Sequence, residues 1–327
     1  MPDWIATIFD EELDFETKLE QVFRYQREKN AVYRRFCDAL GYTFNREELP
    51  PLLPARAFKE AQITCRPDQE PDLLFRSSGT GSMEHSRHPV VDSEIYRESV
   101  LRGFRQYYDP DRSVLWAYTP GYAENPDSSL IWMLNELVAR DATGLSRFLP
   151  LNTPLKNNLI QEVQNQGKQL ILFGAAFGLL DLLELESPDL PGNSIVIETG
   201  GMKTHRREME KKELHDRLAE GFGLDYSRVH SEYGMCELLS QAYATGGEWF
   251  RPVPWMEVTV RNPDDPRSEM PPFQEGLIGV VDLANVHSCS FILTGDRGIR
   301  HKDGRFRVLG RWQPADLRGC NFLIDED

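Results

Sequence analysis

Ser194-Ile195-Val196-Ile197-Glu198-Thr199-Gly200-Gly201 decides the fold of this chain: it is a short apolar run, read as a β-strand, that ends on a double glycine. Past it, Leu214, Leu218 and Phe222 recur at helical spacing, with Gly221 or Gly223 placed to end the helix. Strand, glycine turn and helix make half of a βαβ unit. Ser113 to Tyr118, Gln169 to Phe173 and Arg228 to Ser231 also read as strands alternating with helical stretches, so the spacing predicts an α/β fold around a mostly parallel sheet. Open sheets of this kind bind ligands at the carboxyl ends of their strands, which puts Gly200 and Gly201 where a site belongs.

Upstream, Phe15, Leu19, Val22 and Phe23, then Tyr33, Phe36 and Leu40, give residues 14–40 a helical pattern that Pro50-Pro51-Leu52-Leu53-Pro54 breaks. Downstream of Arg251-Pro252-Val253-Pro254 the character changes. Trp255 to Val260, Leu277 to Leu283, Phe291 to Leu293 and Arg305 to Leu309 read as strands, with turns at Asn262 to Pro266 and at Lys302-Asp303-Gly304. Residues 1–250, including the helical N-terminal segment, are therefore expected to form one α/β region, and residues 251–327 an antiparallel β lobe of the same domain.

Composition narrows the function. The chain has 327 residues, enough for a sizeable core, and its net charge of −15, from 52 acidic and 37 basic residues, argues against nucleic acid or an anionic membrane as the main partner. No basic n-region or apolar h-region follows Met1, and the apolar run Leu170 to Leu180 is too short to span a bilayer, so a cytoplasmic protein without a membrane span is expected. Five cysteines (Cys37, Cys65, Cys236, Cys289, Cys320) stand without C-x-x-C spacing, which indicates neither a zinc site nor a disulfide framework.

Four segments carry candidate chemistry. Phe75-Arg76-Ser77-Ser78-Gly79-Thr80-Gly81-Ser82, after the apolar run Leu73 to Phe75, combines hydroxyls and glycines that can converge on an anion such as a triphosphate. Lys203, His205, Arg206 and Arg207 follow the double glycine and precede a helix, where positive charge opposes the macrodipole and calls for solvent or an anion. Ser231-Glu232-Tyr233-Gly234-Met235-Cys236-Glu237 offers a ring to stack on a base and a carboxylate for Mg²⁺. Leu293-Thr294-Gly295-Asp296-Arg297-Gly298 and Leu309-Gly310-Arg311 offer a carboxylate for a ribose diol and an arginine for phosphate charge. Taken singly, the segments also read as an ordinary turn, a solvated basic loop or a core tyrosine.

In this order the segments resemble the adenylate-forming enzymes, the acyl- and aryl-CoA synthetase superfamily, from about residue 50 onward. Within it the chain is most similar to LuxE-type acyl-protein synthetases, the long-chain fatty acid protein ligases, and next to phenylacetate-CoA-ligase-like proteins. Phe75 to Gly81 with Ser86-Arg87-His88, Asn125 to Met133 with Ser128-Ser129-Leu130, Glu198 to Gly201, and Arg318-Gly319-Cys320 carry the likeness. It implies the large domain of those enzymes, with ATP and Mg²⁺ and a fatty or aryl carboxylic acid as substrate. Ser77, Ser78, Gly79, Thr80 and Gly81 fall on the phosphate loop, Gly200 and Gly201 on the adenine-side segment, and Tyr233 on the adenine-stacking ring. Glu237 falls on the Mg²⁺ ligand, Asp296 on the ribose-binding aspartate and Arg311 on the arginine near ribose and phosphate. Cys320, seven residues from the end, falls on the cysteine that carries the acyl group before it passes to a reductase or another acceptor protein.

The departures are specific. The loop reads Ser-Gly-Thr-Gly-Ser where the family has Ser-Gly-Thr-Thr-Gly, and it lacks the usual lysine, for which Arg87 or His88 is the nearest substitute. Cys236 replaces a threonine and is itself a second candidate acyl acceptor. The small mobile C-terminal domain of larger relatives, with its lysine, is expected to be absent, as it is from LuxE-type proteins. Phe104, Tyr107, Trp116, Trp132, Phe173 and Phe177 are candidates for an apolar acyl tunnel or plain core. Two other readings stay open at this point, a free-standing acyl-CoA ligase and a degenerate nucleotide-binding scaffold subunit.

Overall fold

The computed structural model describes residues 2–77, 85–120, 124–185, 189–200 and 209–312. The chain divides into two compact units, Met1–Gln69 with Pro254–Asp327, and Glu70–Val253. The first begins with helices α1 (Trp4–Ile8), α2 (Phe15–Lys29) and α3 (Ala31–Ala39), the two-residue strand β1 (Leu53–Pro54) and the short helix α4 (Ala57–Glu60). The helical pattern over 14–40 is split at Asn30. Its backbone N–H closes α2 on the Gln26 carbonyl, while its side-chain oxygen caps α3 by accepting from Val32 and Tyr33 N–H.

The expected grouping of residues 1–250 is corrected at this end, because the N-terminal segment packs with the β lobe. Gln26 donates from Nε2 to the carbonyls of Asn285 and Val286 at 3.0 Å and accepts from Ser290 N–H at 3.0 Å. Asn30 donates to the Ser288 carbonyl at 2.9 Å, and β1 pairs in parallel with Ile292 and Leu293. Buried amides at such positions must find partners, and these find them on a segment some 260 residues away.

The second unit holds the parallel sheet. It runs through the hairpin β2 (Leu73–Arg76) and β3 (Arg87–Val90), α5 (Ser93–Arg105), β4 (Ser113–Tyr118), α6 (Ser129–Ala139), β5 (Arg147–Phe148), α7 (Asn157–Asn165), β6 (Gln169–Ala175) and α8 (Ala176–Leu183). β7 (Ile195–Thr199), α9 (Lys211–Gly221), β8 (Val229–Tyr233), β9 (Ala242–Thr245) and β10 (Arg251–Pro252) complete it. The sheet order is β10-β9-β8-β7-β6-β4-β5, parallel from β5 to β8 and antiparallel at β9 and β10. Every residue of β4, β7 and β8 is buried, as expected for strands covered on both faces. One covering layer packs Ile160 and Val163 of α7, Leu179 and Leu182 of α8, and Leu214 and Leu218 of α9 against Val114, Leu172, Val196 and Val229. Gly223, at φ +66°, ends α9, and the next N–H, of Leu224, reaches back to the Ala219 carbonyl at 2.8 Å.

The chain returns to the first unit as four antiparallel strands, β11 (Met256–Arg261), β12 (Gly276–Asp282), β13 (Phe291–Arg300) and β14 (Phe306–Arg311), in order β1-β13-β12-β11 with β14 also on β13. β13 runs well past Leu293, where the expected strand ends. The Gly-Asp pair that reads as a turn lies inside the strand, beside a register shift between Arg297 and Gly298. A side chain at Gly298 would meet the Arg307 carbonyl at 2.6 Å, so the glycine marks a close backbone approach. Among the described residues, no helix is long and apolar enough to cross a membrane.

Candidate functional site

The parallel sheet of the second unit brings several of the sequence-selected residues to one edge. Register places Gly174 beside Glu198 and Glu198 beside Ser231, then Ala175 beside Thr199 and Thr199 beside Glu232, so β6, β7 and β8 end side by side. Gly200 follows β7 at φ +85°, with no atom of the described residues within 4 Å of where a side chain would stand, and Tyr233 closes β8. Glycine tolerates that left-handed turn and leaves room for a ligand to approach the backbone. Glu237 lies in the loop after β8, 6% exposed. Its carboxylate is the hard oxygen donor that Mg²⁺ takes alongside phosphates and water. Among the described residues no group of three or more His, Cys, Asp and Glu side chains forms a metal cage, and a Mg²⁺ held mainly by phosphate needs none.

Beneath this edge is a buried polar cluster that sequence reading did not single out. Lys211, the first residue of α9, places Nζ 2.5 Å from Glu198 Oε1 and 3.1 Å from Ser231 Oγ. His215, one turn on and fully buried, brings Nε2 to 3.0 Å from Ser231 Oγ and 3.4 Å from Glu198 Oε1. Burial alone would raise the Glu198 carboxyl, but the Lys211 ammonium and the hydrogen bonds from His215, Lys211 and Ser231 hold it well below the usual carboxylate range. Glu232 behaves oppositely: burial lifts it to about 7, against the lowering effect of the Thr199 hydroxyl that donates to it. Polar residues closing fully buried strands, Glu198 in β7 and Ser231 and Glu232 in β8, were the available signal.

The β2–β3 hairpin carries the candidate phosphate loop. Ser77 closes its neck, its N–H donating to the Ser86 carbonyl at 3.1 Å and its Oγ accepting from Ser86 N–H at 3.0 Å. Arg76 N–H donates to the Asp127 carbonyl at 2.9 Å, which joins the hairpin to the Asn125 to Met133 segment. His88 ties it to the metal-candidate loop, with Nδ1 2.8 Å from the Cys236 carbonyl. Because burial pushes His88 down to about 4, its ring is neutral at pH 7 and donates from Nδ1, which removes it as a substitute for the missing loop lysine. Arg87 is exposed and keeps that candidacy. Ser78, Gly79, Thr80 and Gly81 of the loop, Gly201 with the basic cluster after it, and Cys320 lie outside the described residues.

In the first unit, Asp296 and Arg311 become direct cross-strand partners on β13 and β14, with Arg311 Nε 3.2 Å from Asp296 Oδ1. The Asp296 backbone N–H also donates to Thr294 Oγ1 at 3.1 Å, whose hydroxyl donates to the Ile278 carbonyl at 2.8 Å. The carboxylate is 9% exposed and the guanidinium 56%, so the arginine reaches solvent while anchored at one end.

At each described cysteine the surroundings disfavour the thiolate. Burial raises the Cys37 thiol to about 11 and Cys65 to about 12, and it pushes Cys236 and Cys289 higher still. For Cys236 the neighbouring Glu237 charge adds to the effect, which weakens it as an acyl acceptor. Phe104, Trp116, Trp132 and Phe173 are buried core residues, while Tyr107 and Phe177 are half-buried. Tyr107 donates to the Arg251 carbonyl at 2.6 Å and Trp116 to the Leu145 carbonyl at 3.2 Å, so both have structural duties.

Comparison with known proteins adds four findings. The family model described as acyl-protein synthetase, LuxE, matches residues 148–327, just over half of the chain. An open conformation of 2-hydroxyisobutyryl-CoA ligase, solved with 2-HIB-AMP and CoA, is similar in fold at 16% identity and a TM-score of 0.62, over 91% of this chain and 69% of that one. ATP-bound MatB from Rhodopseudomonas palustris is similar at 17% identity and a TM-score of 0.53, over 74% of this chain and 48% of that one, so the matched part is about half of MatB. No curated protein matches the chain.

Proposed function

The chain belongs to the LuxE family of acyl-protein synthetases, and from that membership we propose that it uses ATP to activate a fatty acid and passes the acyl group to a protein thiol. What supports the reading is that β7 and β8 end side by side, Gly200 following the first and Tyr233 closing the second, with Glu237 in the loop after β8 and the β2–β3 hairpin tied to that loop through His88 and the Cys236 carbonyl. Families of this type need a phosphate loop, an adenine face and a metal carboxylate in one place.

In the first step a carboxylate oxygen of the acid attacks the α-phosphorus of ATP, forming the acyl-adenylate as the bond to the β-phosphate oxygen breaks and pyrophosphate leaves. Two anions must meet, so their repulsion has to be offset by loop N–H groups and basic side chains. Mg²⁺ at Glu237 would neutralise phosphate charge. Tyr233 would hold the adenine, and by family likeness alone Asp296 would bind the ribose hydroxyls and Arg311 would meet ribose and phosphate. In the second step a thiolate attacks the acyl carbon, the C–S bond forms, and the C–O bond to AMP breaks. Cys320 is the proposed acceptor on this chain, with an acyl reductase or carrier protein downstream.

Acid-dependent exchange of labelled pyrophosphate into ATP tests the first step, and no exchange with any fatty or aryl acid would overturn it. Intact-protein mass spectrometry after incubation with ATP, Mg²⁺ and acid tests the second. Wild type is expected to gain one acyl mass that Cys320→Ser lacks. Turnover accelerated by CoA without protein labelling would instead identify an acyl-CoA ligase.

A further inference from the structure

Lys211 occupies a position that helix electrostatics disfavours. It is the first residue of α9, where the positive end of the macrodipole repels a cation and where Glu210 provides no side-chain cap. Its counter-charge, Glu198, is 1% exposed, and carrying a carboxylate to that depth is costly unless the geometry repays it. A pair that breaks two local rules calls for a reason at the site it serves.

The geometry supplies one. Lys211 Nζ bonds Glu198 on β7 and Ser231 on β8, one residue before Thr199 and two before Tyr233 respectively. The same ammonium lies over the Phe250 ring, 5.3 Å from its centroid, within cation–π range. Phe250 in turn packs against the Tyr233 ring at 5.9 Å and 60°. A single cation therefore joins the two strands that end at the candidate adenine face and braces the aromatic ring behind its tyrosine.

We propose that Lys211 is a positioning residue for the nucleotide: through Phe250 and β8 it sets the orientation of Tyr233 and hence the affinity for adenine nucleotide. This rests on the ATP reading above and adds a residue that makes no contact with the nucleotide itself. Glu198 is the fixed point against which Lys211 is held, and Ser231 orients the ammonium.

The test is calorimetric titration of the full chain with Mg²⁺-ATP, comparing wild type, Lys211→Met, Lys211→Arg and the double variant Glu198→Gln/Lys211→Met. The double variant removes both charges of the Lys211–Glu198 pair and serves where Lys211→Met alone fails to fold. Removal of the cation is expected to weaken ATP binding about ten-fold, the scale of one partly buried cation–π contact, and to raise the KM for ATP while leaving that for the acid unchanged. Lys211→Arg, which keeps the charge, is expected to restore most of the affinity. In a Tyr233→Ala background, removing the cation is expected to cost nothing further. Wild-type affinity in a folded double variant would overturn the proposal, as would full additivity with Tyr233→Ala. Failure of both Lys211→Met and the double variant to fold would overturn it too, by making the pair a stability element. Loss of acid-dependent exchange in wild type would overturn the adenylation reading alone, because the titrations still report on Lys211. If wild type binds no ATP, both fall.

Discussion

Glu198 and Glu232 lie near the ends of neighbouring strands and are both buried, yet they titrate in opposite directions, because Lys211 bonds Glu198 directly while burial of Glu232 outweighs the Thr199 hydroxyl and the Lys211 charge. The sign of each effect on stability follows from linkage. Glu232 rises on folding from its ordinary 4.5 to about 7, so the unfolded chain ionises first and stability falls as pH rises through that window. Glu198 is lowered, so its contribution is present above 4.5 and is lost as pH falls below it. His88, His230 and His287, each pushed down to about 4 by burial, act against Glu232 between about 4 and 6.5 by favouring the native state as pH rises. Glu232→Gln is therefore expected to be more stable than wild type at pH 8 and to lose that advantage by pH 4.5, as measured by urea midpoints across the range. A difference that does not change with pH would contradict the assignment. None of this was legible from sequence, where both residues are simply a glutamate near the end of an apolar run.

At the scale of elements, the reading from sequence was good where a run was wholly apolar and poor where glycine carried two meanings. β4 falls on the expected residues, Ser113–Tyr118, because a strand buried on both faces has no alternation to misread. The expected strand stops at Leu293 because Thr294-Gly295-Asp296-Arg297-Gly298 has the composition of a turn, yet β13 pairs with β12 as far as Gly298 and with β14 as far as Arg300. Gly298 is there for clearance rather than for turning. Gly298→Ala would push a methyl to 2.6 Å from the Arg307 carbonyl and 2.7 Å from the Ile278 side chain, and backbone cannot yield as a flexible side chain can. The variant is expected to lose about 1–3 kcal/mol in chemical denaturation. Because the register shift falls between Arg297 and Gly298, next to the Asp296–Arg311 pair, a weaker pair is expected with it, read as a raised KM for ATP.

At the scale of the whole molecule, the N-terminal helices belong to the β lobe, a grouping no local pattern announces. Gln26 is the clearest agent of it, bonded through both side-chain atoms to Asn285, Val286 and Ser290. Gln26→Ala leaves those carbonyls and the Ser290 N–H to find new partners inside a packed core and is expected to cost about 1–3 kcal/mol. Hydrogen exchange should then speed up in α2 and in residues 285–290, while β4, β6 and β7 of the other unit keep their protection. Equal loss in both units would contradict the division into two compact units.

Periodicity and apolar runs sufficed for the α/β class, most of the strands and the order of the candidate motifs, since those depend on neighbours a few residues apart. The Ser194 to Gly201 stretch already read as a strand stopping at a turn. Its glutamate was silent until folding put Lys211 and His215 beside it, because pairing across elements depends on register and packing that no local pattern contains. The same holds for Asp296 with Arg311 and for His88 with the Cys236 carbonyl. Residue types came from the chain, and their charge states and partners came from burial and strand register.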